Sequence, residues 1–133
     1  MSSYLSIYVQ KKGGKPTILT SYSRNTDIYQ YFNENLNIAY AGNEEKYTKL
    51  DKSDVDIVIR EFESDINKAK ERLTLYEKYA SDNPDYIQDI LDTKEYIEDL
   101  AYWKDKTSFI ADMLNDIDYN HENGIEAVFC NID

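Results

Sequence analysis

Residues 53–80, SDVDIVIREFESDINKAKERLTLYEKYA, decide the fold. Within them Val55, Ile59, Phe62, Ile66, Ala69, Leu73, Tyr76 and Ala80 recur at alternating spacings of four and three, a heptad stripe held over the whole stretch. A strand repeats its faces every two residues and cannot gather these side chains on one side, whereas a helix can. Ser53-Asp54-Val55-Asp56 reads as a capping box with Asp in place of the usual Glu or Gln, which predicts a helix start at Ser53.

The next five residues, Ser81 to Asp85, end that helix and begin another. Pro84 suits a first helical position, where a missing N–H costs nothing, and Asn83 can cap from just before it. A second stripe then runs through Tyr86, Ile90, Thr93, Ile97, Leu100, Trp103, Thr107, Ile110, Leu114 and Ile117. Its rhythm loses one residue between Leu100 and Thr107, a stammer-like slip with Trp103 inside it, which should redirect the seam. Two helices joined by so short a turn pack antiparallel, so residues 53–118 predict a helical hairpin. A helix from 54 to 81 would be about 42 Å long, against roughly 36 Å for the diameter of a compact domain of this size. The hairpin is therefore expected to protrude or to pair with another copy.

On the N-terminal side, Leu5, Ile7 and Val9 alternate with Tyr4, Ser6 and Tyr8, the period of a half-buried strand. Lys11-Lys12-Gly13-Gly14-Lys15-Pro16 follows, its glycines supplying the positive φ of a tight turn, and Thr17 to Ser23 is again rich in β-branched and aromatic residues. This predicts a β-hairpin. Asn25 or Thr26 can cap a short helix reaching about Leu36, with Ile28, Tyr31, Phe32 and Leu36 on one side. Asn37 to Gly42 reads as a turn with some extended structure, and Tyr47 to Leu50 as a short strand. At the other end, Asn120 to Gly124 reads as a turn and Ile125 to Ile132 as a strand that joins the N-terminal hairpin, since two strands make a marginal sheet. The expected architecture is one α+β domain: residues 1–50 give the hairpin and short helix, 53–118 the helical hairpin, and 125–132 the last strand of a small antiparallel sheet.

Composition agrees with a single domain. The chain has 133 residues, 41% of them hydrophobic and 31% charged, and its 13 tyrosines argue against disorder. Cys130 is the sole cysteine, which leaves no disulfide framework and no cysteine-based metal cluster. The sequence has neither a long apolar run nor a signal-peptide-like start, and with one cysteine this leads to the expectation of a cytoplasmic protein that does not enter a membrane. The net charge is −11. Lys11, Lys12, Lys15 and Arg24 give residues 1–25 a charge of +4, so the remainder carries −15. Phosphate affinity requires concentrated Lys and Arg, so duplex nucleic acid is not an expected ligand, while a basic partner is.

Catalytic chemistry finds little support. His121, between Asp118 and Glu122, could serve as a metal ligand or base, but one histidine beside two acids lacks ligand spacing and reads as a polar turn residue. Cys130 shares its strand face with Val128 and Ile132 and reads as a small buried hydrophobe rather than a nucleophile. Lys11 to Thr17 lacks the spacing of a phosphate loop, and no Asp-x-Asp-x-Asp-Gly calcium loop occurs. No catalytic residues, metal or cofactor are expected, and the chain is read as non-enzymatic.

What remains is surface. From Asp82 to Asp118 eleven acids stand against Lys94, Lys104 and Lys106, a surplus of eight negative charges. Asp85, Asp89, Asp92, Glu95, Glu98, Asp99, Asp105 and Asp112 are the candidate partner-binding residues of an acidic ridge; the plain alternative is a solubilising helix face. Tyr4, Tyr8 and Tyr102 are candidates for an aromatic interface, since tyrosine offers large area and a hydroxyl. The expected function is a non-catalytic module that inhibits or adapts a larger protein with a basic, nucleic-acid-binding surface. In size and charge the chain is similar to small acidic inhibitors that phages and mobile elements direct against host nucleases and CRISPR effectors. Two other readings remain open: a self-assembling homo-oligomer, and a nucleotide binder using Lys11, Lys12, Lys15 and Arg24 with Tyr8 or Tyr22.

Overall fold

The computed structural model describes residues 3–42, 46–119 and 124–133. Their elements follow in the order β1 (Tyr4–Lys11), β2 (Thr17–Ser23), α1 (Asp27–Asn35), β3 (Thr48–Lys49), α2 (Lys52–Ala80), α3 (Tyr86–Tyr119) and β4 (Ile125–Ile132). Among the described residues the strands make one antiparallel sheet in the order β2-β1-β4-β3. The fold is α+β, with the last strand lying beside the first, as the apolar alternation of both demands.

Alternation in β1 sets the layers. Leu5, Ile7 and Val9 are buried on the helix side, together with Val128 and Cys130 of β4, which lie opposite Val9 and Ile7. On the reverse face Ser6 and Ser21 exchange a hydroxyl hydrogen bond of 3.0 Å, and Tyr8 meets Tyr47 edge-on at 4.9 Å. The β1–β2 turn uses one of its two glycines for left-handed backbone: Gly13 has φ +74°, and the Gly14 N–H closes on the Lys11 carbonyl at 2.9 Å.

Helix α1 is capped by Thr26, whose hydroxyl accepts from the Tyr29 N–H, and it buries Ile28, Tyr29 and Phe32. It also ties the sheet to the hairpin. Tyr31 stacks on Phe62 of α2 with ring centres 3.9 Å apart and planes 7° apart, and its hydroxyl donates to Asp65. Burial and the Asp65 carboxylate together raise the Tyr31 phenol far above its usual value, so the phenol stays a donor.

Helix α2 corrects one sequence expectation. The helix begins at Lys52 rather than Ser53, with Asp51 in extended backbone as its N-cap. The Asp51 N–H donates to the Asp54 carboxylate at 3.2 Å, so the capping box is Asp51–Asp54. The physical reason lies upstream: the Leu50 N–H bonds the Val128 carbonyl, fixing the chain in the sheet until Asp51 and leaving the turn into helix to start there. The start of the second helix is corrected too: α3 begins at Tyr86, so Pro84 lies in the preceding turn rather than at the first helical position, and Asn83 closes that turn, its side chain accepting from the Asp85 N–H at 3.0 Å. The turn expected at Asn120 to Gly124, with His121 and Glu122, lies outside the described residues except for Gly124.

The two seams meet as the heptads require. Phe62, Ile66 and Ala69 of α2 are buried, as are Thr93, Leu100, Thr107, Ile110 and Leu114 of α3. At the slip, Trp103 turns toward the sheet and meets Tyr22 of β2 edge-on at 5.6 Å. Beyond the slip Ala111 and Met113 are buried too, because α3 there faces α2 and the sheet together. Helices of 29 and 34 residues span about 43 and 51 Å. Residues 70–92 contain no fully buried side chain, so the far end of the hairpin projects from the core. Its tip is joined by aromatic contacts, Tyr86 stacking on Tyr76 at 6.0 Å and meeting Tyr79 at a tilt at 5.5 Å.

Candidate interaction surface

The α3 seam turns its apolar residues toward α2 and the sheet, and so forces the carboxylates outward. Asp85, Asp89, Asp92, Glu95, Glu98, Asp99, Asp105 and Asp112 are all exposed. Among the described residues none of the eight lies in an ion pair; the cross-hairpin pair is Lys104 with Glu63 at 3.4 Å. Asp92 accepts a hydrogen bond from Gln88, one turn earlier, at 2.8 Å.

The eight do not form one ridge. At about 100° per residue, Asp89, Asp92 and Asp99 fall along one line of α3, with Asp85 just before its first turn, while Glu98, Asp105 and Asp112 fall on another roughly 150° away. Glu95 lies between. The first line adjoins α1: burial, and then the nearby Asp99 carboxylate, raise the Asp27 carboxyl above its ordinary value. Two carboxylates from different elements thus concentrate negative charge where α1 meets α3.

The aromatic candidates divide as well. Tyr4 is exposed and Tyr8 half-buried on the reverse face of the sheet, where Tyr47 and Phe129 continue the cluster. Tyr102 is exposed on the helix side, edge-on to Trp103 at 4.8 Å, with the Lys106 ammonium 5.2 Å from its ring centre. The sheet therefore separates Tyr102 from the other two. Nor do the residues considered for nucleotide binding converge: Tyr22 packs on Trp103 at the end of β2 remote from the lysine-rich turn, and Tyr8 lies on the opposite face.

Cys130 is fully buried, and burial, aided by the Asp54 charge, pushes its thiol up to about 12, which withholds the thiolate needed for nucleophilic chemistry. His121 lies outside the described residues. No group of three or more His, Cys, Asp or Glu among the described residues is arranged to hold a metal ion, and no described helix is long and apolar enough to cross a membrane.

One surface escaped the sequence reading. Leu19 and Tyr22 of β2 and Tyr102, Asp105 and Phe109 of α3 line a groove of about 510 Å³. Phe109 is 58% exposed and Leu19 44% exposed. The signal was present: Phe109 sits between the seam residues Thr107 and Ile110, where an amphipathic helix ordinarily carries a polar side chain.

Comparison with protein-family models, with curated proteins and with solved structures gives no match for this chain. Fold and surface define its class: an α+β chain in which a small sheet anchors a projecting two-helix hairpin with one strongly acidic helix.

Proposed function

We propose that this chain is a non-catalytic protein-binding module whose acidic helix α3 engages a partner with a basic, nucleic-acid-binding surface, acting as an inhibitor or adaptor in the cytoplasm. The observation that carries the reading is the seven exposed carboxylates of α3 with Asp85 just before it, none of the eight in an ion pair among the described residues. A solubilising surface mixes charges of both signs evenly, as α2 does with Lys68, Lys70 and Arg72 beside Glu71; α3 sets nine acids against Lys94, Lys104 and Lys106. Like charges four apart oppose helix formation by a few tenths of a kcal/mol each, a cost that a basic partner would offset. Duplex DNA carries a charge for about every 1.7 Å of axis, denser than either row of α3, so the helix competes for a basic surface in concert with its surroundings rather than by copying a duplex.

Immobilised protein is expected to capture a basic partner from cell lysate at low salt and release it at high salt. The variant Asp92→Asn, Glu95→Gln, Asp99→Asn and Asp105→Asn should lose that capture. Equal capture by both forms would dismiss the acidic-surface reading.

A further inference from the structure

We propose that the groove between β2 and α3 receives an extended segment of the basic partner, which adds to the sheet as a strand beside β2. The inference rests on the reading of a basic partner and assigns it a seat. Three features converge there. First, β2 is an edge: β1 lies on one side of it and no described strand on the other. The opposite edge is β3, two residues long, and the rest of β4 beside it is met by Tyr40, which bridges Ile132. Edge strands are commonly guarded by charge, yet Thr17 to Ser23 holds no charged residue. The Arg24 N–H bonds the Ser3 carbonyl, so by alternation Tyr22 and Thr20 turn their backbone groups toward β1 and Ser21 turns its own outward. A register shift opposite Ile7 and Tyr8 interrupts the regular edge, which leaves residues 19–23 to pair.

Second, the floor beside this edge is apolar and aromatic, with Leu19, Tyr102 and Phe109 about half exposed. An added strand sends alternate side chains down onto that floor. Third, the far lip is acidic. Asp105 lines the groove, and Glu98 and Asp112, one heptad to either side, continue its row along α3. Lys106 also lines the groove, but its ammonium lies over the Tyr102 ring. The occupant that fits an open strand edge, an apolar floor and an acidic lip is an extended segment alternating apolar with basic residues.

Trp103, the chain's single tryptophan, touches both Tyr22 and Tyr102 and reports on the floor. The test titrates the full chain with a ten-residue peptide alternating Arg and Val, read by calorimetry and Trp103 emission, beside Glu/Val and Arg/Gly controls. The Arg/Val peptide is expected to bind and shift the emission. Ser21→Pro removes an outward N–H, Phe109→Asp spoils the floor and Asp105→Lys reverses the lip; each should weaken binding about tenfold or more. Absence of binding, equal binding of either control, or indifference to Ser21→Pro and Phe109→Asp would overturn the proposal. So would a wild-type dimer in sedimentation that Ser21→Pro abolishes, since the seat would then belong to a second copy. If Ser21→Pro and Phe109→Asp keep the salt-sensitive capture described above, the groove proposal fails while the acidic-surface reading stands.

Discussion

Single residues show how the chain handles charge and reactivity. Asp27 holds its proton more tightly in the folded protein than in the unfolded chain, through burial first and Asp99 second. Between its ordinary and its raised value the folded state binds more protons, so stability falls as pH rises through that window and the loss is complete above it. Replacing Asp99 by Asn should lower the Asp27 midpoint in an NMR titration without restoring the ordinary value, because burial persists. An unmoved midpoint would break the inferred contact. Cys130 gives a second check. With its side chain enclosed and its thiol raised to about 12, it should react with a thiol reagent at pH 8 at least about a thousandfold more slowly than in denaturant. Rapid labelling of the native protein would show the sheet–helix layer to be open. At the hub, Phe62 is fully buried beneath Tyr31, and Phe62→Ala should cost about 3–5 kcal/mol in denaturant unfolding.

Elements follow from patterns of differing clarity. The hairpin was legible because its stripes persist: Phe62, Ile66 and Ala69 are buried where a heptad places them, and the slip at Trp103 marks the place where α3 turns to meet Tyr22. Strands β1 and β4 were legible from alternation. The helix start was not, since Ser53 is as good a cap by type as Asp51, and the choice was made by a hydrogen bond from Leu50 to the distant Val128. Asp54→Ala should therefore destabilise by about 1 kcal/mol, while Ser53→Ala stays within about 0.5 kcal/mol. The reverse ranking would return the cap to Ser53. Exposure of the eight acids was legible from the seam. Their division into two rows was legible as well, since Asp85, Asp92 and Asp99 repeat at seven, as do Glu98, Asp105 and Asp112, and the helical period sets the angle between the two series. The groove was hidden for another reason: Leu19 and Phe109 become neighbours only when β2 and α3 are brought side by side.

At the scale of the whole molecule, the sheet and α1 form a base from which the hairpin projects. Charge is uneven along the chain: residues 1–25 carry +4 and residues 82–118 carry −8. Interactions among such exposed charges fade beyond about 8 Å at physiological salt, so the proposed recognition would act through direct contact along α3. The central claim is that these carboxylates occupy a basic surface that nucleic acid would otherwise use. The most direct measurement takes a captured partner bound to a labelled nucleic acid and follows displacement as the protein is titrated in. The wild-type chain is expected to displace the nucleic acid, with displacement that weakens steeply with salt and is lost in the Asp92, Glu95, Asp99 and Asp105 amide variant. Nucleic acid that stays bound at saturating protein, or is displaced equally by the amide variant, would contradict it.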